Sequence, residues 1–587
     1  MFFSSFFKEN LIYRVFIKKY KKYFILGAIS LIIVDIINIV PPLLIKEVID
    51  TLTSHGSITK ILYISGIYIL VSLVQGAGRY FWRMYFIGTS FRCDYDLRMA
   101  FFKHIETLSH SFFRKYKTGN LMSRATNDLN AVRMAVGPGM LIGLDALFYF
   151  FLIPPIVIYL SPKLALYTFL PLLLMPYFAY RIKNVIDKRF RRVQEQFSNI
   201  SEKAQENISG IRIVKSFNMS NQEERTFSRL CKDFVNKNLS LVIPQSLMGP
   251  VFEYITYLGI IILLLAGGNM VLEGTITLGT LIAFQRYISK MVWPMTAVGW
   301  CLSLFQRGKA SMERVDEIMD IKPEIISSKS AIKNIRPAGK VEFKDLSFRY
   351  NKNEDFILRN ISLEITPGQK VALIGPVGCG KTTLVNLIPR VLPAGHNKIL
   401  LDDIDINKID VRELRSHIGF VSQDTFLFSE KIKNNISFGN PDQFDECKVR
   451  EYASMSMISN EIDNLPEGYD SYLGERGINL SGGQKQRVSI ARALAINPRI
   501  LIFDDCLSGV DARTEEAIIK NISTEANGRT LIVVTHRIPA IMDFDLIVVL
   551  QNGEIIGTGT HQQLSERDGL YKSLYENEVV RESLAEG

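Results

Sequence analysis

Apolar residues crowd the first half of the chain in six runs, 24–45, 61–85, 138–160, 164–180, 250–267 and 278 to about 300. Runs of roughly twenty residues match the thickness of a bilayer core when wound as helix, so the pattern predicts six transmembrane spans. The 164–180 run is short and follows its predecessor after Ser161, Pro162 and Lys163 alone, which predicts a tight hairpin between those spans. An even count returns both chain ends to one side. The intervening segments 86–137 and 181–245 are polar, with apolar residues at helical spacing in NVIDKRFRRVQEQFSNISEKAQENI. Paired helices there would carry the spans roughly 35 to 45 Å further at 1.5 Å per residue. At IKPEIISSKSAIKNIRPAGK the character turns polar with two prolines, the composition of a linker. Beyond it, short β-branched runs (KVALIG, RILIFD, TLIVVT) alternate with helical segments, the pattern of an α/β domain around a largely parallel sheet. The predicted architecture is an α-helical six-span transmembrane domain over 1–320, a linker over 321–340 and an α/β P-loop domain over 341–587.

Charge orients this arrangement. Lys and Arg number 69 against 59 Asp and Glu, a formal net charge of +10, and 47% of residues are hydrophobic. Basic residues flank the spans in NLIYRVFIKKYKKY and in 86–137 and 181–245, whereas the three opposite loops carry Lys46, Lys60 and Lys163. The positive-inside rule then places both termini and the α/β domain in the cytosol, with the chain multi-pass in the cytoplasmic (inner) membrane. Residues 1–22 lack a short apolar core followed by a cleavage site and read as an amphipathic elbow helix at the inner surface or, equally, as the frayed start of the first span. Because the basic residues are dispersed along membrane-flanking helices, a nucleic-acid partner is not expected. The six cysteines, Cys93, Cys231, Cys301, Cys379, Cys447 and Cys506, form no CxxC pair, so neither a zinc site nor a disulfide scaffold is indicated.

Immediately after KVALIG comes GPVGCGKT, fitting G-x-x-x-x-G-K-[ST]. In Gly375, Pro376, Val377, Gly378, Cys379 and Gly380 the glycines let the backbone curl so that N–H groups face phosphate. Lys381 brings a positive charge to the outer phosphates, the Thr382 hydroxyl can hold Mg²⁺, and the helix from Thr383 adds its dipole. LIFDDC (501–506) is the partner of that loop: a buried strand ending in Asp504 sets a carboxylate at the sheet's carboxyl edge, beside the phosphates, as a second Mg²⁺ group.

Here the residues carry a family resemblance. LSGGQKQR (480–487), twenty residues before LIFDD, resembles the signature of ATP-binding-cassette ATPases. Other matches follow in order: Tyr350 as the aromatic that stacks on adenine, Gln423 in VSQDTFLF as the lid glutamine and a metal-site group, and GERG (474–477) before the signature. SGVD (508–511) matches the D-loop, and His536 in VVTHR the switch histidine. With six spans ahead of one cassette, the whole chain resembles a half-transporter of the type IV ABC exporter group. That resemblance implies ATP and Mg²⁺ as cofactors, the lipid bilayer as surroundings and lipophilic or amphipathic compounds as cargo. It also implies that Ser481, Gly482, Gly483 and Gln484 close over ATP held by a facing cassette. The segments 119–133 and 206–227 fall where the family's coupling helices sit.

In the family the residue after the metal-site Asp is a Glu that activates water. Here it is Asp505, shorter by one methylene, about 1.5 Å. A misplacement near 1 Å can cost about a hundredfold in rate, so this site is expected to bind ATP and turn it over slowly. A short acid beside an intact LSGGQ resembles one chain of the heterodimeric bacterial multidrug exporters. The partner would then be a second half-transporter bearing the Glu, its active site completed by this chain's signature. Two other readings stand beside it: a homodimeric exporter or lipid flippase in which Asp505 works slowly, and a regulatory membrane subunit that binds ATP without transport. Ionisable residues within or near the spans, Asp35, Arg79, Arg83, Asp145, Glu253 and Arg286, are costly in lipid and are expected to face a cavity or another helix, the acids paired with arginines or facing cationic cargo. Trp293, Tyr287 and Phe284 are candidates to line a cavity or to pack against lipid.

Overall fold

Long stretches of the first half wind into helices whose lengths far exceed a bilayer. The computed structural model describes residues 19–586 apart from 329, 352, 441–444, 475, 476, 478, 526 and 527, so the predicted elbow falls outside the described residues as far as Lys19. Two units result, one built from residues up to 106 and 118–321, the other from 107–117 and 322 onward.

The first unit holds α1 (Lys19–Thr53) and most of α2 (Ile58–Thr107); the second takes the short α3 (His110–Lys115). The chain then returns to the first unit through α4 (Thr118–Leu160), α5 (Pro162–Ser209), α6 (Ser220–Leu272) and α7 (Leu278–Met319). Among the described residues, α1, α2, α4, α5 and α6 are long and apolar enough to cross a membrane. The sixth expected span, α7, falls outside that set because Arg286, Lys290 and neighbouring polar positions dilute its apolar run. One face of it is buried, with Phe284, Tyr287 and Ile288 fully enclosed and the Tyr287 hydroxyl donating to the Ile39 carbonyl at 2.8 Å, whereas Arg286 lies on the exposed face and the half-buried Lys290 donates to the Asn38 carbonyl. A helix enclosed by other helices can take partners for polar groups from them, which lipid does not offer. Asp50 closes one end of the unit, accepting from the Gly279 amide and the Thr277 hydroxyl, both at 2.9 Å. Between α4 and α5 the helix breaks at Ser161, whose extended backbone (φ −163°) precedes Pro162 in the first helical position.

In the second unit, β1 (Val341–Phe348), β2 (Leu358–Ile365), β4 (Ile399–Leu401) and β5 (Ile404–Asp405) form an antiparallel sheet in the order β2-β1-β4-β5. A six-stranded sheet runs β10-β9-β3-β8-β7-β6, from β3 (Lys370–Ile374), β6 (Ile418–Val421), β7 (Ile500–Asp504), β8 (Thr530–Val534), β9 (Leu546–Gln551) and β10 (Glu554–Gly559). All of its pairings are parallel except β9 with β10. One apolar core, including Leu346, Val371, Leu384 and Ile502, lies between the sheets; a second, including Ile490, Phe503, Ile518 and Val533, covers the other face. Every residue of β7 is therefore buried, which is why ILIF is a continuous apolar run rather than an alternating one.

Candidate nucleotide site

Strand order brings the phosphate loop and the doubled acid together. β3 and β7 flank β8, so the loop after β3 and the acid ending β7 stand two strand spacings apart, about 10 Å of backbone that side chains can bridge. Val534, the last residue of β8, accepts the Asp505 amide at 3.0 Å, and His536 follows two positions later.

Gly375, Gly378 and Gly380 all have positive φ, and the loop opens into α8 (Lys381–Leu387). The helix thus begins two residues before the expected Thr383. At Gly375 a Cβ would stand 2.1 Å from the Leu550 carbonyl oxygen, an impossible contact with a backbone that β9 holds in place. Gly375→Ala is therefore expected to lower the melting temperature of the purified chain, on the order of 2–4 kcal/mol of lost stability, and to abolish ATP binding in a titration. Retained affinity in that titration would show that the loop tolerates displacement.

Lys381 is 6% exposed and curls over its own loop, donating to the carbonyls of Gly375 at 2.7 Å and Pro376 at 2.9 Å, with the Cys379 sulfur at 3.7 Å. Pro376, Val377 and Gly378 form the outer rim of the loop, and Val377 is almost wholly exposed. The Thr382 hydroxyl donates to Asp504 Oδ1 at 2.9 Å, so the two residues expected to hold Mg²⁺ already touch. Asp504 is 1% exposed; burial raises its carboxyl above the ordinary range, the Thr382 hydrogen bond partly offsets this, and Asp505 adds repulsion. A buried carboxylate and a hydroxyl short of positive charge suit a hard divalent cation whose remaining ligands are phosphate and water.

Asp505 adopts a left-handed backbone (φ +48°), a region that Asp and Asn enter more readily than other non-glycine residues. Its Oδ2 accepts from the Gln423 side-chain amide at 3.2 Å. The residue read as the water-activating acid is thereby joined to the residue read as the lid glutamine. Burial and the Lys381 charge hold His536 below its usual range against the opposing pull of Asp505, so the imidazole is neutral at pH 7.

Tyr350 lies half-buried, its hydroxyl 3.0 Å from that of Thr383 and its ring edge-on to Phe348. Over the ring, at 4.8 Å from its centroid, sits the Arg114 guanidinium of α3. Sequence reading missed this neighbour, which lies in the segment 107–117 that groups with the second unit. The Ser109 and Ser111 hydroxyls anchor that segment on Glu324 at 2.7 and 2.9 Å. No periodicity in the sequence links positions more than 200 residues apart.

The signature residues stand apart from this cluster. Ser481 caps α9 (Gly482–Ala495) in a reciprocal capping box with Gln484, which accepts the Ser481 amide at 2.8 Å. Ser481 and Gly482 are exposed, with no atom within 4 Å of a Cβ built on Gly482. Gly483 packs on the Gly509 carbonyl, and the Gly509 amide donates to Gln486 Oε1 at 3.1 Å, which joins the signature helix to SGVD. Of the preceding GERG turn, Glu475 and Arg476 lie outside the described residues.

Comparison with known proteins gives this geometry a setting. The family profile described as "ABC transporter transmembrane region" matches residues 24–295, and that described as "ABC transporter" matches 358–508. The chain is 34% identical to the probable multidrug resistance ABC transporter ATP-binding/permease protein YheI of Bacillus subtilis (strain 168), over 96% of this chain and 97% of that one. It is 33% identical to the multidrug resistance-like ATP-binding protein MdlA of Escherichia coli (strain K12), over 97% and 96%. To the ATP-dependent lipid A-core flippase of Syntrophus aciditrophicus (strain SB) it is 34% identical, over 92% and 90%. A solved bacterial Atm1-family ABC exporter with ATP bound superposes with a TM-score of 0.76 at 25% identity, covering 95% of this chain and 98% of the other.

Proposed function

The chain belongs to the ABC transporters, as an exporter-type ATPase with a transmembrane and an ATP-binding domain, and from that premise we propose that it works as one half of a heterodimer that exports lipophilic or amphipathic compounds. The transmembrane domain is taken as 1–320, the linker as 321–340 and the ATP-binding domain as 341–587, cytosolic and beneath the inner membrane. Lys381 and the loop amides bind the phosphates of ATP, and Tyr350 receives the adenine in place of the Arg114 guanidinium. Thr382, Asp504 and Gln423 would hold Mg²⁺, which when bound neutralises charge on the phosphates. His536, neutral, stands near Asp505 and Lys381 to orient the reacting groups.

One observation carries the heterodimer reading: an intact helix start at Ser481–Gln484, exposed at Ser481 and Gly482, occurs in the same chain as an acid, Asp505, that is short and already engaged by Gln423. Such a chain can complete a partner's site better than its own. The multidrug names of the Bacillus and Escherichia relatives support the cargo class. The flippase relative favours the second reading, a homodimer that moves lipid while Asp505 turns over slowly.

Purifying the chain alone and with a candidate partner bearing Glu after the metal-site Asp, then measuring oligomeric state and ATPase, tests the proposal. The expected result is low turnover alone and at least a tenfold gain in a stable one-to-one complex. Robust turnover by the isolated chain overturns the heterodimer.

A further inference from the structure

His536 stands on a turn whose neighbours are tied while its own ring is not. Among the described residues the imidazole makes no hydrogen bond, so the backbone on either side decides where it points. The charged tie among those neighbours is the Arg537 guanidinium. Its Nη1 donates to the Val510 carbonyl of SGVD at 3.0 Å and to Glu515 Oε2 at 2.7 Å. Glu515 belongs to the first turn of α10 (Ala512–Glu525), and its side chain is 1% exposed against 36% for that of Arg537.

Anchor and arm differ in what holds them. Ile518, Ile519 and Ile522 pin α10 into the apolar core, so Glu515 has a fixed place. Arg537 rides on the turn after β8. There the Thr535 hydroxyl accepts the Arg537 amide at 3.0 Å, folding the chain around residue 536, and the Ile538 amide donates to Glu578 of α11 (Leu570–Glu586) at 2.8 Å. The segment that Arg537 reaches is itself tied to the doubled acid, because the Ser508 hydroxyl donates to the Asp505 carbonyl at 3.1 Å. A planar guanidinium shared between a carboxylate and a carbonyl fixes direction as well as distance. Burial pushes the Glu515 carboxyl up to about 7 and the Arg537 charge opposes that rise, so acid and base depend on each other. Without the pair, the turn keeps its tie to α11 and loses the one that sets it against SGVD.

We propose that Glu515, acting through Arg537, is a positioning residue that aims the His536 ring at the terminal phosphate of ATP, a role that rests on the reading of His536 as the switch histidine and adds the pair that holds it. Glu515 acts at one remove: its carboxylate orients Arg537, and Arg537 orients the turn. ADP lacks the phosphate that the ring addresses. Misplacing the ring therefore costs affinity for the triphosphate and leaves the diphosphate unaffected.

The test titrates the full chain in nanodiscs, with Mg²⁺ present, against ADP and the non-hydrolysable β,γ-imido analogue of ATP by calorimetry. His536→Ala is expected to cut the preference for the triphosphate about tenfold and Glu515→Gln about threefold or more, while ADP affinity stays within about twofold in both and reports an intact phosphate loop. In the double variant Glu515→Gln should cost nothing further, because a residue that works through the ring has nothing left to position. Losses that multiply in the double variant overturn the proposal. So does an unchanged preference in Glu515→Gln beside a reduced one in His536→Ala, and there the switch reading of His536 stands. An unchanged preference in His536→Ala removes that reading and the positioning role with it. Arg537→Met, which alters the partly exposed member of the pair, carries the same expectation as Glu515→Gln and decides the matter where that variant does not fold. Equal loss of affinity for both nucleotides marks a purely structural pair and overturns the proposal as well.

Discussion

Asp505→Glu is expected to raise hydrolysis at the site built on this chain's phosphate loop by about a hundredfold, measured as single-turnover phosphate release in the assembled transporter. The magnitude comes from reach. The Asp505 carboxylate ends 3.2 Å from the Gln423 amide, a contact that holds it toward the lid glutamine rather than beyond it. One methylene adds about 1.5 Å, enough to carry the carboxylate past that amide toward the terminal phosphate. ATP affinity should change by less than about threefold, because Lys381 and Thr382 make their contacts independently of residue 505. A structural cost should accompany the gain. Residue 505 sits at φ +48°, where Asp is tolerated and a longer side chain is less so, and a penalty on the order of 1 kcal/mol should appear as a lower melting temperature. Unchanged single-turnover rates would mean that the length of the acid does not limit this site, and the case for a specialised partner would lose its main support.

What the sequence disclosed and what it withheld divide along a physical line. The phosphate loop, the buried strand ending in Asp504 and the capped start at Ser481 were legible because each is encoded locally: a glycine pattern that sets backbone, an apolar run that sets burial, a capping box that sets a helix end. Contacts that depend on tertiary placement were not. The Arg114 guanidinium over Tyr350 joins positions more than 200 residues apart. Gln423 and Asp505 were both singled out as site residues, yet nothing in the chain said that they bond each other. In the spans, counting ionisable residues identified Asp145 and Arg79 but not their partners: Asp145 accepts the Trp293 indole N–H, and Arg79 donates to Asn38. Hydropathy gave six apolar runs, of which the sixth, α7, is the one helix there that composition alone does not qualify as a span. Its apolar face packs against neighbouring helices, which also offer the Asn38 carbonyl to Lys290, while Arg286 stays on the exposed face, a division that a one-dimensional profile cannot register.

Gly483→Val should lower the ATPase of the assembled transporter by about a hundredfold while this chain's own ATP affinity stays within about threefold. A Cβ at Gly483 would meet the Gly509 carbonyl oxygen at 2.8 Å and the Val510 side chain at 3.7 Å. The first of these is backbone, held by the Gly509 amide's bond to Gln486 at 3.1 Å, so it cannot swing aside as a flexible side chain would. Relief requires the start of α9 and SGVD to move apart by several tenths of an ångström, and the two further Val methyls push them further still. Two terms compete in stability. Removing glycine from a helix restores up to about 1 kcal/mol of backbone entropy, though less for a β-branched residue, whereas overpacking costs about 1–3 kcal/mol. The net loss of about 1–2 kcal/mol leaves the fold intact, so the rate is the informative readout. If Ser481–Gln484 close over ATP in the facing cassette, a displacement approaching 1 Å in that surface acts on the partner's turnover, and the collapse follows. The phosphate loop, on the far side of β8, is untouched, and a nucleotide titration of the isolated chain should show it. Full ATPase in the complex would mean that this helix start does not take part in catalysis, and the division of labour between a weak acid at Asp505 and an intact signature would have no physical basis.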